Sequence, residues 1–250
     1  MGEQKLKDKI AVITGGSSGI GLESARLFRR HGAQVVIAGR DEARLEAACG
    51  ELGADVMTVA ADLSTLEGVG VLLREVESRF GRLDVLFANA GTADCPPLRE
   101  ITEADFDRIV AVNVKGVFFT VVEALDLLTE HASVVLTSAA HGRGALGDPL
   151  HAMTKAAVRS LARTLAADEE VLARGIRVNS LSPGSIRTPL TSSADPAVIK
   201  ALDHYIDTTV PMRRWGTAQE AARAALFLAG PDSAYTTGAD IAVDGGLAQL

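Results

Sequence analysis

The first segment able to do chemistry is Thr14-Gly15-Gly16-Ser17-Ser18-Gly19-Ile20-Gly21, set between the apolar run Ile10 to Ile13 and a helix-like stretch from Gly21 to His31. Strand, glycine loop and helix in that order suit a pyrophosphate. Glycines at 15, 19 and 21 let the backbone approach closely, and free amides at a helix N-terminus meet negative charge. Gly15, Ser17, Ser18, Gly19, Ile20 and Gly21 are therefore the expected phosphate-binding residues. The second strand ends Gly39-Arg40, where a dinucleotide site ordinarily carries a carboxylate for the adenosine ribose. An arginine there can pair with a 2′-phosphate, which favours NADP(H) and leaves NAD(H) as the alternative, with Asp41 then serving the ribose.

The elements that must carry this loop are legible as short apolar runs: Ile10 to Ile13, Gln34 to Ala38, Val56 to Ala60, Val85 to Ala88, Ser133 to Thr137, Arg177 to Leu181 and Ile241 to Val243. They are continuously apolar rather than alternating, as strands covered on both faces by helices must be. Amphipathic stretches at Gly21 to His31, Glu42 to Glu51, Leu66 to Phe80 and Ala104 to Leu128 are long enough for crossovers. The expectation is one α/β domain over residues 1–250, a doubly wound Rossmann-type fold with a seven-stranded parallel sheet. Periodicity is weakest from Pro189 to Trp215, which reads as a substrate lid over the strand ends.

Composition narrows the partners. In 250 residues, 25 Lys and Arg face 32 Asp and Glu, a net charge of −7, so the basic surface that drives sequence-independent nucleic-acid binding is missing. Cys49 and Cys95 stand far apart without metal-ligand spacing, so neither a disulfide framework nor a metal site is expected. The run Ile10 to Ile13 is too short for a secretion signal, and no segment reaches the ~18 apolar residues of a membrane helix. A soluble, cytoplasmic protein without membrane contact is the expectation.

Further positions join the glycine loop: Asp62-Leu63 after the third strand, Asn89-Ala90-Gly91 after the fourth, and Asn113 in Val112-Asn113-Val114-Lys115-Gly116. Ser138, Lys155, Pro183-Gly184, Thr188 and the terminal Gly238 to Gly246 complete the set. On these residues the chain resembles the short-chain dehydrogenase/reductase family over essentially its whole length. The resemblance implies that Asp62 and the Leu63 amide hold the adenine and that Asn89, with Ala90 and Gly91, shapes the cofactor cleft. It further implies that Thr188 touches the nicotinamide amide beside Pro183, Gly184 and Ile186, and that Lys155 binds the nicotinamide ribose. Asn113 would relay through water to Lys155, and the Val243-Asp244-Gly245-Gly246 ending implies a homotetramer or homodimer.

Family members reduce a carbonyl or oxidise an alcohol with a tyrosine and a lysine four residues apart, supported by a serine at the end of the preceding strand. Here the segment reads Asp148-Pro149-Leu150-His151-Ala152-Met153-Thr154-Lys155, with histidine at the tyrosine position. Asp148 before Pro149 is an N-cap followed by a first-turn proline, so 151 and 155 share a helix face. Imidazole, with an ordinary pKa near ~6.5, can deliver a proton at neutral pH. Two effects oppose it: the Lys155 ammonium disfavours imidazolium, and the ring nitrogen falls roughly 2 Å short of a phenol oxygen, a gap one water can bridge. Asn113, Ser138, His151 and Lys155 are the expected catalytic residues, Ser138 donating to the substrate oxygen; a shifted register would put Ala139 in the serine's place. A cofactor-binding protein without the chemistry, or redox-neutral proton transfer, are the alternative readings. His141, Arg143, Asp148, His204 and Tyr205 are weaker candidates for the substrate side.

Overall fold

The structure, a computed structural model, describes residues 4–140, 148–192 and 196–248, so His141 and Arg143 lie outside the described residues. In chain order the elements are β1 (Ile10–Thr14), α1 (Gly19–Arg30), β2 (Gln34–Gly39), α2 (Glu42–Leu52), β3 (Met57–Ala60), α3 (Leu66–Phe80) and β4 (Leu83–Ala88). Next come α4 (Glu103–Val110), a π-helical turn (Ala111–Gly116), α5 (Val117–Ala124), β5 (Leu128–Thr137), α6 (Pro149–Leu165), α7 (Glu169–Ala173) and β6 (Arg177–Pro183). The chain ends with β7 (Ile186–Arg187), α8 (Pro189–Ser192), α9 (Pro196–Thr209), β8 (Gly216–Thr217), α10 (Ala218–Ala229) and β9 (Asp240–Val243).

Seven strands form one parallel sheet in the order β3-β2-β1-β4-β5-β6-β9, as the continuous apolar runs require. Alternate strand residues feed opposite faces. Val12, Val36 and Leu86 pack with Val69 and Leu72 of α3, Val121 of α5 and Val158 of α6. Ala11, Ile37 and Phe87 pack with Phe28 of α1, Leu45 of α2 and Ala225 of α10. Neither layer of helices can be removed without exposing a whole sheet face, which makes the fold one unit.

Three details depart from the sequence reading. The stretch Ala104 to Leu128 is a helical crossover from Glu103 to Ala124 that carries a π-helical segment, Ala111–Gly116, with right-handed helical backbone at both junctions; it ends earlier than expected because Leu128 opens β5, pairing with Leu83. The sequence hides this because Thr129, Glu130 and His131 interrupt the apolar pattern, and His131 takes a positive φ of 61° within the strand. A two-stranded ribbon, Ile186↔Gly216 and Arg187↔Thr217, was too short to read and joins the two ends of the expected lid segment. Within that segment lie α8 and α9.

Strand order reverses between β1 and β4: the crossovers from β1 run toward β3 and those from β4 toward β9. A crevice opens at the carboxyl ends of the strands at such a switch point, which is where the glycine loop and Asn89 stand.

Candidate active site

The loop after β1 takes its shape from its glycines. Gly15 (φ +65°) and Gly19 (φ +53°) occupy left-handed conformations. At Gly21 a Cβ would stand 2.2 Å from the Gly15 carbonyl oxygen, an overlap no side chain survives. The loop leads into α1, whose N-cap Ser18 makes no side-chain capping bond. Asp41, Thr65, Thr102, Asp148, Asp168 and Thr217 do cap α2, α3, α4, α6, α7 and α10. The first amides of α1, after Gly19 and Ile20, are thus left for an anion.

The strand ends around the loop are tied together. Thr14 Oγ1 accepts the N–H groups of Asn89 and Ala90, both at 2.9 Å, and Asn89 Nδ2 donates to the Thr14 carbonyl at 3.1 Å. Asn89 Oδ1 accepts from Thr137 Oγ1 at 3.2 Å, so one amide links the ends of β1, β4 and β5. Thr14 was not among the sequence candidates; its only signal was its place as the residue between strand and first glycine.

A cleft runs from this loop over Arg40, Asp62, Leu63, Ala90 and Gly91. Asp41 lines this end of the cleft and also serves α2: its Oδ1 accepts the Arg44 N–H at 3.0 Å as the cap of that helix, and its Oδ2 pairs with Arg44 Nε at 3.2 Å. Arg44, overlooked in the sequence, lines the same end of the cleft as Arg40. Burial works to raise the Asp62 carboxyl, but the Ser64 N–H and hydroxyl, with Arg40 and Lys115 nearby, hold it below its ordinary value.

Beyond Gly91 lies Lys155, 4% exposed. Its Nζ donates to the Thr137 carbonyl at 2.9 Å, and no carboxylate pairs with it among the described residues. Burial depresses this ammonium from 10.5 to about 8. A Cβ on Gly91 would come within 3.0 Å of the Nζ, so the glycine keeps the approach to the ammonium open. Asn113 is fully buried in the π turn: its Oδ1 accepts the Thr92 N–H at 2.8 Å, while its Nδ2 donates to the Thr92 carbonyl at 2.8 Å and to Thr154 Oγ1 at 3.1 Å. The side chain is a fastener between loop, π turn and α6.

Ser138 is brought beside α6, but its hydroxyl donates to the Lys155 carbonyl at 2.8 Å and is 2% exposed, so the proton expected for a substrate oxygen is engaged within the protein. The adjacent Ala139 is half-buried, and its carbonyl accepts from Arg159 at 2.9 Å. His151 stands in the first turn of α6, half-buried, with its N–H donated to Asp148 Oδ1 at 2.9 Å. Cys95, also missed in the sequence, lies against Asp148 and the His151 N–H; burial, followed by the Asp148 carboxylate, pushes its thiol up to about 12.

The remaining candidates divide. Thr188 faces the glycine loop: a Cβ on Gly19 would lie 3.3 Å from its side chain. Pro183 ends β6, and Ile186 is buried at the start of β7. Gly184 has a packing reason of its own, since a Cβ there would meet Asp244 Cα at 2.7 Å. Tyr235 is fully exposed, His204 is exposed, and Tyr205 packs with Ile206, Val210, Leu247 and Trp215. Among the described residues no cluster of three His, Cys, Asp or Glu could hold a metal, and no helix is long and apolar enough to cross a membrane.

Comparison with known proteins finds relatives over nearly the whole chain. Residues 15–248 match the family model described as enoyl-(acyl carrier protein) reductase. The chain is 37% identical over 250 residues to an oxidoreductase, asL5, of Sarocladium schorii, covering 99% of this chain and 98% of the relative. It is 36% identical over 255 residues to a glucose 1-dehydrogenase of Gluconobacter oxydans, covering 98% and 94%. Among solved structures it is similar to a 3-ketoacyl-(acyl-carrier-protein) reductase from Brucella melitensis complexed with NADH, with a TM-score of 0.88 and 33% identity over 97% of this chain and 99% of that one.

Proposed function

Because the chain belongs to the short-chain dehydrogenase/reductase family and is an oxidoreductase of the carbonyl–alcohol class, we propose that it is an NADP(H)-dependent carbonyl reductase, or the reverse alcohol dehydrogenase, with His151 as the proton donor. The single observation that carries the cofactor reading is Lys155. It is a buried ammonium with no carboxylate partner among the described residues, kept accessible by Gly91, in line with a glycine loop whose helix N-terminus is uncapped. A buried cation with spare donors is costly unless a ligand completes it, and the hydroxyls of a nicotinamide ribose match a compact, strongly hydrated point donor.

The residues present fit such a cofactor. Gly15 to Gly21 would take the pyrophosphate, Asp62 and the Leu63 amide the adenine, and Thr188 the nicotinamide amide. Arg40, backed by Arg44, would take a 2′-phosphate at the end of the cleft that both line. A bound nicotinamide dinucleotide supplies or accepts a hydride. The chain supplies the proton: the imidazole of His151 donates to the oxygen of the carbonyl being reduced, directly or through one water, and recovers a proton from solvent. His151 is the imidazole on the α6 face it shares with Lys155, and the Ser138 hydroxyl is engaged by the Lys155 carbonyl. α8 and α9 are proposed as the lid over this cleft. Exposed Phe106, Phe118 and Met153, on α4, α5 and α6, support a homo-oligomer.

The experiment is single-turnover hydride transfer from NADPH to a broad panel of ketones and aldehydes, with the wild type beside His151→Tyr and His151→Ala. Turnover by the wild type that both substitutions abolish is the expected result. Activity in His151→Tyr alone would instead mark a protein that holds the cofactor without the chemistry, and tight NADPH binding with no transfer to any carbonyl would defeat the proposal.

A further inference from the structure

One buried hydroxyl beside the site has no part in the chemistry just described. Thr154, fully buried on α6, immediately precedes Lys155. Its Oγ1 donates to the His151 carbonyl oxygen at 2.8 Å and accepts from Asn113 Nδ2 at 3.1 Å. Asn113 in turn brackets Thr92, accepting its N–H and donating to its carbonyl, each at 2.8 Å. An unbroken chain of hydrogen bonds thus runs from the loop after β4, through the π turn, to the peptide of residue 151. In an α-helix the carbonyl of residue 151 also receives the N–H of residue 155. The threonine therefore acts on the peptide that fixes how His151 and Lys155 are spaced. A threonine hydroxyl returned to the preceding turn bends a helix slightly. Here that bond falls between the two side chains that must meet one substrate and one cofactor.

Resting on the oxidoreductase reading, we propose that Thr154 is a positioning residue for the reaction: its hydroxyl carries the placement of the Asn113 turn to the His151 carbonyl and so sets where the imidazole stands relative to Lys155. A threonine that merely fills the core behaves differently. Valine, of the same shape, would replace it there, and serine, lacking the methyl, would serve less well.

The test compares Thr154→Val, which keeps the shape and removes the hydroxyl, with Thr154→Ser, which keeps the hydroxyl. On a carbonyl that the wild type reduces, positioning predicts that kcat falls roughly 10- to 100-fold in T154V, the loss expected of a small displacement of a reacting group. The KM for the carbonyl and the Kd for NADPH, read from nucleotide fluorescence, stay within about threefold, and T154S recovers kcat to within about threefold. Wild-type kcat in T154V, a loss in T154S equal to that in T154V, or a parallel loss of NADPH affinity would each overturn the proposal. Should T154V fail to fold by circular dichroism, Thr154→Ala is judged by the same criteria. If the wild type reduces no carbonyl, the functional reading fails by itself, and the positioning claim passes to 15N-histidine NMR of the protein saturated with NADP+. A His151 titration midpoint that moves in T154V and returns in T154S supports it; a midpoint identical in all three proteins sinks it.

Discussion

Lys155 should make the protein less stable than it could be, by an amount that depends on pH. Its burial depresses the ammonium from 10.5 to about 8, a difference of roughly 3 kcal/mol between the charged and neutral forms in the folded chain. The sign follows from proton counts. Below pH 8 the group is charged in both states and the folded state bears the whole penalty. Between about pH 8 and 10.5 the unfolded chain holds more protons, so stability from this residue rises with pH, and above that window the penalty is gone. Lys155→Met fills the same slot without a charge. It forfeits the bond to the Thr137 carbonyl at 2.9 Å, worth about 1 kcal/mol. The variant should therefore be about 2 kcal/mol more stable than the wild type at pH 7, a Tm higher by roughly 4–8 °C for a domain of this size, and no more stable by about pH 10. Urea denaturation of both proteins at a series of pH values, without nucleotide, measures the difference directly and cancels the other titrating groups. Parallel stability curves, or a variant less stable at pH 7, would refute the account of Lys155 as a buried, uncompensated cation. Stability gained together with lost nucleotide binding would be the signature of a residue retained for function.

Two further substitutions probe the cofactor end. Arg40→Ala should weaken NADPH binding roughly 10- to 100-fold, the worth of a charge-assisted contact to phosphate, while NADH affinity changes by less than about twofold; equal losses for both nucleotides would place the arginine elsewhere. Gly21→Ala puts a Cβ 2.2 Å from the Gly15 carbonyl oxygen, so the loop cannot close, and the rise in Tm that NADPH gives the wild type should be lost in a thermal-shift assay; a full ligand-induced rise in the variant would contradict the close approach.

The sheet was legible because its central strands are buried on both faces: Ile10 to Ile13 carries no polar residue to solvate, Gln34 to Ala38 only the exposed Gln34 at its start, and each falls within an observed strand. The glycine loop was legible because backbone geometry restricts residue type. The π turn was not. Ala111 to Gly116 sits inside a long apolar stretch, and one extra residue in a helical turn leaves the periodicity of such a stretch nearly unchanged. Nor was the capping role of Asp41, which serves α2 while lining the cleft and rests on an Arg44 contact that only the folded chain supplies. Ser138 was found by its spacing and its direction was not, because the Lys155 carbonyl that takes its proton is brought there by α6.

These hydrogen bonds also bear on how a histidine can stand where the family resemblance places a tyrosine. The peptide of residue 151 is held at both ends: its N–H is donated to Asp148, the cap of α6, and its carbonyl receives the Thr154 hydroxyl. Lys155, one turn on, is fixed through the Thr137 carbonyl, and its own carbonyl is held by Ser138. None of these four bonds involves the side chain at 151. The frame that aims this position is therefore built before its chemistry is chosen, so exchanging imidazole for phenol changes reach and acidity while leaving the backbone in place. That separation is why His151→Tyr is an informative substitution: a change in its rate reports on the proton donor, and a change in the fold is not required to explain it.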